Sequence, residues 1–599
     1  MEEIIRSRDQ IPLEDTWATE DLFVSDEAWE QALASLAETK DALAAYAGKL
    51  GESAQSLYSY LELSENSSAV TNRVAHYCMR KSDEDTANAT YQAMVGKFMT
   101  AMTALGAATS FDTPEIMAIS DEAINAFYVQ CPELERYRRY LTNLRRRKAH
   151  VLSPAEEKLL AAAGEMAQAP DNIYGVFANA DMKFQDALDS QGNAHPVTQG
   201  TFTMCLESPD RTLRKNAYES LYRGYTDFRN TAAGLLDAQN KQLKFYAEAR
   251  RYGSAFEASL DGTDVPASVY LNLIDTVHKN LDKMHRYIAL RKKLLGVDTL
   301  HYYDLYTPLV ADVDEKIPFA QAKETVYEAL APLGEDYRKI LKEGFESRWI
   351  DVYQSKGKRS GAYSAGAKVH PYVLLNYTGT LDSQFTLAHE MGHALHSYLS
   401  NKTQNPVDAG YVIFVAEVAS TCNEALLMEH LLSKTTDQKQ RAYLINHFLE
   451  QFRGTLYRQT MFAEFELNIG RMVQEGQTLT ADALCAEYQR LCQVYYGDQV
   501  VIDQEISMEW ARIPHFYYDY YVFQYATGYA AAMALSRRIL KEGAPAVQDY
   551  LGFLSGGCSK SPIELLKGAG VDMTGPEAVE QALQLFGELL DEMEALVKA

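Results

Sequence analysis

The stretch that decides the fold reads Phe385-Thr386-Leu387-Ala388-His389-Glu390-Met391-Gly392-His393-Ala394-Leu395-His396-Ser397-Tyr398-Leu399. Within it His389 and His393 stand at i and i+4, which on a helix places both imidazoles on one face about one turn apart. That spacing suits a tetrahedral zinc ion. The flanks are good helix material, with apolar residues on the faces that would be buried. The plain alternative is a buried helix whose histidines only satisfy their own hydrogen bonds. The chain holds 13 histidines, so the motif alone is suggestive and its helical setting strengthens it.

A catalytic zinc needs a third protein ligand and an open position for water. His396 lies on the same stripe, but a rise of about 1.5 Å per residue places it roughly 10 Å further along the axis, too far to share the ion. The chain also lacks the HExxHxxGxxH pattern, whose glycine lets a later histidine reach back. His396 is therefore assigned to the surroundings of the site or to the core. The next carboxylates are Asp408, in a turn-like segment, then Glu417, Glu424 and Glu429 in a fresh helical pattern. Glu417 follows His393 by 24 residues, room for a loop before a second helix crosses the first, and is the expected third ligand. Glu424, two turns on, reads as an outer acceptor orienting a ligand imidazole or as a solvated helix glutamate. Asp408 as ligand would make a different class of zinc site. Glu390 is the natural base for the attacking water, and the same carboxyl could then protonate the departing amine.

Upstream, Gly357, Gly361, Gly366 and Gly379 flank a β-prone run from Tyr372 to Tyr377, which predicts a strand just before the motif helix. If residues 373–378 form an edge strand, their free N–H and C=O groups would bind extended peptide without reading its sequence. The loop 361–366 reads as a lid over that peptide or as a plain surface turn. Three- and four-residue apolar spacing predicts a helix over 26–50, and similar patterns continue to about residue 170, over 210–295 and over 318–345. Alternating segments around Asp189-Ser190-Gln191-Gly192-Asn193 predict a small hairpin within 178–203 and a subdomain boundary there. Residues 137–150 are strongly basic in an acidic chain and read either as an anion site or as a solvated face paired with acidic neighbours.

The chain has 599 residues, about four times the commonest domain size, so several subdomains or one large body are expected. Lys+Arg number 57 against 82 Asp+Glu, a formal charge of −25 that repels the phosphate backbone; nucleic acid is not an expected partner. Seven scattered cysteines with no CxxC pair point to a reducing compartment. The charged opening and the lack of a run of about 18 apolar residues predict a soluble cytoplasmic protein without a membrane partner.

Far downstream, residues 513–528 are rich in tyrosine behind Pro514, a residue suited to a helix start. On one continuous helix His515, Tyr518 and Tyr525 fall within an arc of roughly 80°. Neutral His and Tyr donors stabilise an oxyanion in a partly dry cleft. The alternative is a core helix whose hydroxyls find partners.

Taken together these residues make the chain similar to the oligoendopeptidase F branch of the thimet-type (M3) zinc oligopeptidases. The match spans nearly the whole chain: the Thr16-Trp17 to Leu22 entry, Gly361-Ala362-Tyr363-Ser364, His389-Glu390-x-x-His393, Glu417-Val418-Ala419-Ser420-Thr421 and Pro514-His515-Phe516-Tyr517. Family members often carry Pro where Val418-Ala419-Ser420 stands; its absence fits this branch and leaves the ligand in place. The resemblance implies a mostly α fold, a large helical body with a deep substrate channel and a small β-sheet next to the zincin-type helices. It implies an amino-terminal helical region over 1–200 and a catalytic zinc metallopeptidase domain over 201–599. It assigns one zinc ion to His389, His393 and Glu417, the base to Glu390, and the grip on the substrate carbonyl to His515, Tyr525 and Tyr518. The expected activity is cleavage of internal bonds in short unstructured peptides. The alternatives are a dipeptidyl carboxypeptidase, which would need a cationic group for the substrate's terminal carboxylate that no residue announces, and a peptide-binding protein with an inert zinc, against which Glu390 counts.

Overall fold

The computed structural model describes residues 5–310 and 316–597. Most of them are helical, and the short strands form three small sheets, so the mostly α fold with a small sheet is what the chain adopts. The chain resolves into two compact units that do not follow chain order: Met1–Ala149, Glu315–His430 and Leu535–Val571 make one, His150–Asp314, Leu431–Ala534 and Asp572–Ala599 the other.

In the first unit, helices Asp26–Ala44, Ala54–Glu84 and Ala89–Thr109 pack against one another. Each starts on a side-chain cap, Ser25, Ser53 and Asn88, that accepts from an otherwise unpaired first-turn N–H. Their apolar faces bury Trp29, Val74, Tyr77 and Phe98 together with Trp17, Tyr372 and Leu374. Each such side chain contributes about 1.5–3 kcal/mol on burial. The Trp17 indole donates to the Val373 carbonyl at 2.7 Å and the Tyr372 hydroxyl to Ala18 O at 2.9 Å, fastening the amino-terminal segment to the sheet.

That sheet holds β4 (Ile350–Asp351), β5 (Tyr363–Ala365) and β6 (Tyr372–Leu374), in the order β4-β6-β5. β6 is thus the central strand, parallel to β4 and antiparallel to β5, which corrects the expectation that 373–378 form a free edge. Beyond the strand, Leu375 N still donates to Asp351 O at 2.8 Å and Tyr377 N to Val352 O at 2.9 Å. The cover comes from β4, whose two residues are too short a run to show alternation in sequence. The open edge is β5. Val373 N donates to Trp349 O and Leu375 N to Asp351 O, so Tyr372 and Leu374 direct their main-chain groups toward β5. With Tyr363 opposite Leu374 and Ala365 opposite Tyr372, Ser364 is left with its N–H and C=O turned away from β6.

In the second unit the predicted hairpin is present: β1 (Ala187–Leu188) pairs antiparallel with β2 (Ala194–His195), and Asp189 Oδ1 accepts from Gln191 N and Asn193 N. Gly192, at φ 86°, takes the left-handed position that glycine adopts at no steric cost. A parallel pair, β3 (Leu300–His301) with β7 (Val500–Val501), joins distant segments among long helices.

The basic run does not collect an anion site. Arg138 pairs with Glu135 at 2.6 Å, and Arg145 donates to Ile116 O, Ile119 O and, at 2.5 Å, to Asp121. All seven cysteines are free thiols. Among the described residues no helix is long and apolar enough to cross a membrane.

Candidate active site

The motif helix runs Leu381–Thr403, capped by Thr380, whose hydroxyl accepts from Ser383 N at 3.1 Å. Phe385, Leu387, Ala388, Met391, Ala394 and Leu395 are buried, the faces expected of it. A second helix, Ile413–Lys434, crosses it at Gly392. A Cβ at position 392 would stand 2.6 Å from Ser420 Cα and 2.8 Å from Ala419 O, so only glycine lets the crossing helix come this close. Asn423 pins the crossing by donating to Ala388 O at 3.1 Å, and is itself held by the Tyr337 hydroxyl at 3.0 Å.

The crossing brings the three expected ligands together. His389 Nε2 and His393 Nε2 are 3.2 Å apart, and Glu417 Oε2 lies 3.4 Å from the first and 3.6 Å from the second. Among the described residues they are the one group of three whose donor atoms converge tightly enough to hold a metal ion. Glu424 Oε1 accepts from His389 Nδ1 at 2.5 Å, which fixes the ring and turns the Nε2 lone pair inward; of its two readings, the outer acceptor is the one the geometry supports. Ser420 Oγ donates to Glu417 Oε2 at 3.2 Å. Glu390 is buried and its Oε2 has no hydrogen-bond partner.

The charges are mutually adjusted. Burial alone would lower the His389 pKa, but the bond to Glu424 and the fields of Glu424, Glu390 and Glu417 raise it to about 9. Burial would raise Glu417, but the two imidazoles and Ser420 bring it down to about 2. Burial, reinforced by Glu417 and Glu424 against the pull of the histidines, pushes Glu390 above the usual carboxylate range. His396 takes no part: it is buried and stacked on Tyr411 at 3.7 Å, and burial drives its pKa down to about 3. Asp408 is buried away from the group, with its pKa raised by burial.

In the second unit His515, Tyr518 and Tyr525 also come together, but not on one helix. Pro514–Tyr517 is a single short turn, Asp519 and Tyr520 take φ of 64° and 55°, and regular helix resumes only at Phe523–Glu542. The break follows from packing. The Tyr520 ring turns inward against Phe256 and Tyr270 and fills a notch that exists only because residue 470 is glycine; a Cβ there would collide with its hydroxyl. Tyr517 stacks on Tyr174 at 4.3 Å and is likewise spoken for. His515 stands 5.5 Å from Tyr518 and 6.0 Å from Tyr525, ring centre to ring centre. Tyr521, not singled out from the sequence, lies 6.2 Å from His515, 6.2 Å from Tyr518 and 5.3 Å from Tyr525, touching all three. A helical wheel could not find it, because the wheel does not survive two left-handed residues. Burial and nearby Arg458 lower the His515 pKa and keep the ring neutral.

A helix bearing two imidazoles and an unpartnered buried carboxyl, crossed by a second helix bearing a third acidic ligand, defines a metallopeptidase of the HExxH class with a glutamate third ligand. The chain belongs to peptidase family M3, within its oligoendopeptidase F branch. Residues 204–585 match Peptidase family M3 and residues 115–184 match Oligopeptidase F. The chain is 48% identical to Oligopeptidase PepF of Bacillus subtilis over 591 residues, covering 98% of this chain and 88% of that one. It is 40% identical to Group B oligopeptidase PepB of Streptococcus agalactiae over 582 residues, 97% of each. The crystal structure of oligoendopeptidase-F from Enterococcus faecium superposes with a TM-score of 0.75 at 38% identity, covering 96% of this chain and 99% of that one.

Proposed function

We propose that this chain is a zinc-dependent endopeptidase that cleaves internal bonds of short unstructured oligopeptides, with His389, His393 and Glu417 holding the ion and Glu390 moving the proton. The observation that carries this is the 3.2–3.6 Å triangle of Nε2, Nε2 and Oε2. Ligands about 2.0–2.1 Å from a tetrahedral zinc stand about 3.3 Å from one another, so the donor set suits that ion in both chemistry and spacing. When bound, zinc acts as a Lewis acid that polarises the scissile carbonyl and acidifies water.

The chain's own residues supply the rest. Glu390 presents an oxygen with no other partner, and its raised pKa suits a group that takes a proton from attacking water and hands it to the departing amine. Glu424 holds His389 in the tautomer that leaves Nε2 free. His515, Tyr518 and Tyr525 act as neutral donors to the substrate carbonyl, joined by Tyr521. The outward main chain of Ser364 on β5 receives extended peptide by strand addition, which reads backbone and so leaves side-chain preference broad. The division near residue 200 into an amino-terminal helical region and a catalytic domain is part of the same reading, supported by the family match beginning at residue 204. Free thiols support a cytoplasmic setting, and the charge of −25 argues against nucleic acid as a partner.

Glu390→Gln tests the reading. The variant should keep its zinc and lose about 10²–10⁴-fold in kcat on an internally quenched peptide. Full turnover with metal in place would refute the role of Glu390.

A further inference from the structure

Lys358 lies in the connection between β4 and β5, and its side chain is wholly buried, 0% exposed. A buried ammonium is costly unless all its donors are used, and a lysine has three. Here four oxygens converge on it. Nζ lies 2.7 Å from Tyr353 O, 2.5 Å from Leu375 O, 3.2 Å from Asp351 O and 2.7 Å from Asp351 Oδ1. Asp351 ends β4 and Leu375 follows β6, so one side chain gathers the ends of both parallel strands and the loop that leaves them. Asp351 also pairs with Arg8, which reaches Glu84 at 3.0 Å, making a charge-balanced group of two cations and two anions.

The same loop is held from its other side. Thr86 N donates to Gly357 O at 2.7 Å, Arg359 N to Asp83 O at 3.0 Å, and the Tyr363 hydroxyl to Asp83 Oδ2 at 2.5 Å. Gly357, at φ 79°, lies where a Cβ would run into Asp85. Asn376 donates to Arg359 O and Gly361 O, the last turns before β5. Downstream of β5, Asn401 of the motif helix donates to Gly366 O at 3.3 Å. The strand is therefore suspended between the motif helix at one end and the buried charges at the other.

We propose that Lys358, with Asp351, Arg8 and Glu84, is a positioning group for peptide capture: it fixes the loop that feeds β5 and so sets where the outward main chain of Ser364 meets the substrate backbone. The inference rests on the reading that β5 receives the peptide. It assigns to the amino-terminal segment a part in substrate binding through Arg8 and Glu84.

The test compares purified full-length variants on two quenched peptides of unrelated sequence. Lys358→Met alone would strand the Asp351 charge, so the informative variant is Lys358→Met/Asp351→Asn. It should bind one equivalent of zinc and keep kcat nearly unchanged while KM rises about tenfold on both peptides, the value of roughly one main-chain hydrogen bond. If Tm falls but KM does not move, the group is merely structural and the inference is overturned. Should that variant prove insoluble, Arg8→Met/Glu84→Gln opens the outer half of the group; a raised KM supports the inference and an unchanged KM overturns it. Ser364→Pro removes the outward N–H directly and separates the two readings. If it raises KM while the charge variants do not, only the positioning role fails; if it leaves KM unchanged, the edge-strand reading fails and takes the inference with it.

Discussion

The metal group and the His515 tyrosine cluster are built in opposite ways. The first stands on two regular helices, and its geometry follows from helical spacing plus one close crossing at Gly392. The second stands on a broken segment with two left-handed residues, where tertiary packing of Tyr520 and Tyr517 decides which rings remain free. A site set by local periodicity resists change in distant packing. A site set by packing does not.

Three experiments sharpen or break that contrast. His515→Ala should cost about 10²–10³ in kcat, the value of a lost oxyanion donor, while zinc content stays at one equivalent. Loss of metal in that variant would mean that the two groups are not independent. Gly470→Ala, remote from every proposed catalytic atom, should push Tyr520 out of its notch and drag Tyr521 with it. A misplacement of this kind costs about 10–10² in kcat, again with metal retained. An unchanged kcat would show that the turn tolerates the shift. The smallest effect concerns the helix that carries Gly470. On it, Glu464 accepts from His278 at 2.6 Å and from the Tyr495 hydroxyl at 2.9 Å. The bond to Glu464 raises the His278 pKa. A raised histidine stabilises the fold fully below its unfolded pKa of about 6.5, and that stabilisation fades as pH climbs through the higher folded value. The Tm gap between wild type and His278→Gln should therefore be wider at pH 6 than at pH 9; a constant gap would contradict the pairing.

The same contrast explains what the sequence made legible. His389 and His393 follow from their spacing, and Glu417 from its place in a fresh helical pattern, because a regular helix converts sequence distance into direction. The role of Gly392 was hidden, since nothing local says that Ser420 will pack on it. The hairpin at Asp189–Asn193 announced itself through turn chemistry. β4 did not, and that omission made β6 look like an edge when Ser364 on β5 holds that position. His515, Tyr518 and Tyr525 were found through an arc on a helix that is not continuous, while Tyr521, which touches all three, escaped for that reason. Lys358 read as an ordinary loop lysine, because burial of a charge has no signature in the chain.

The account's central claim is that two imidazoles and the Glu417 carboxylate grip one ion. Zinc affinity measured by competition with a chelator, on wild type, Glu417→Ala and Asp408→Ala, tests it most directly. Glu417→Ala should weaken zinc by more than the roughly 10–100-fold that an outer partner such as Glu424 contributes, and Asp408→Ala should leave it unchanged. Wild-type affinity in Glu417→Ala, or a loss of zinc confined to Asp408→Ala, would contradict the account.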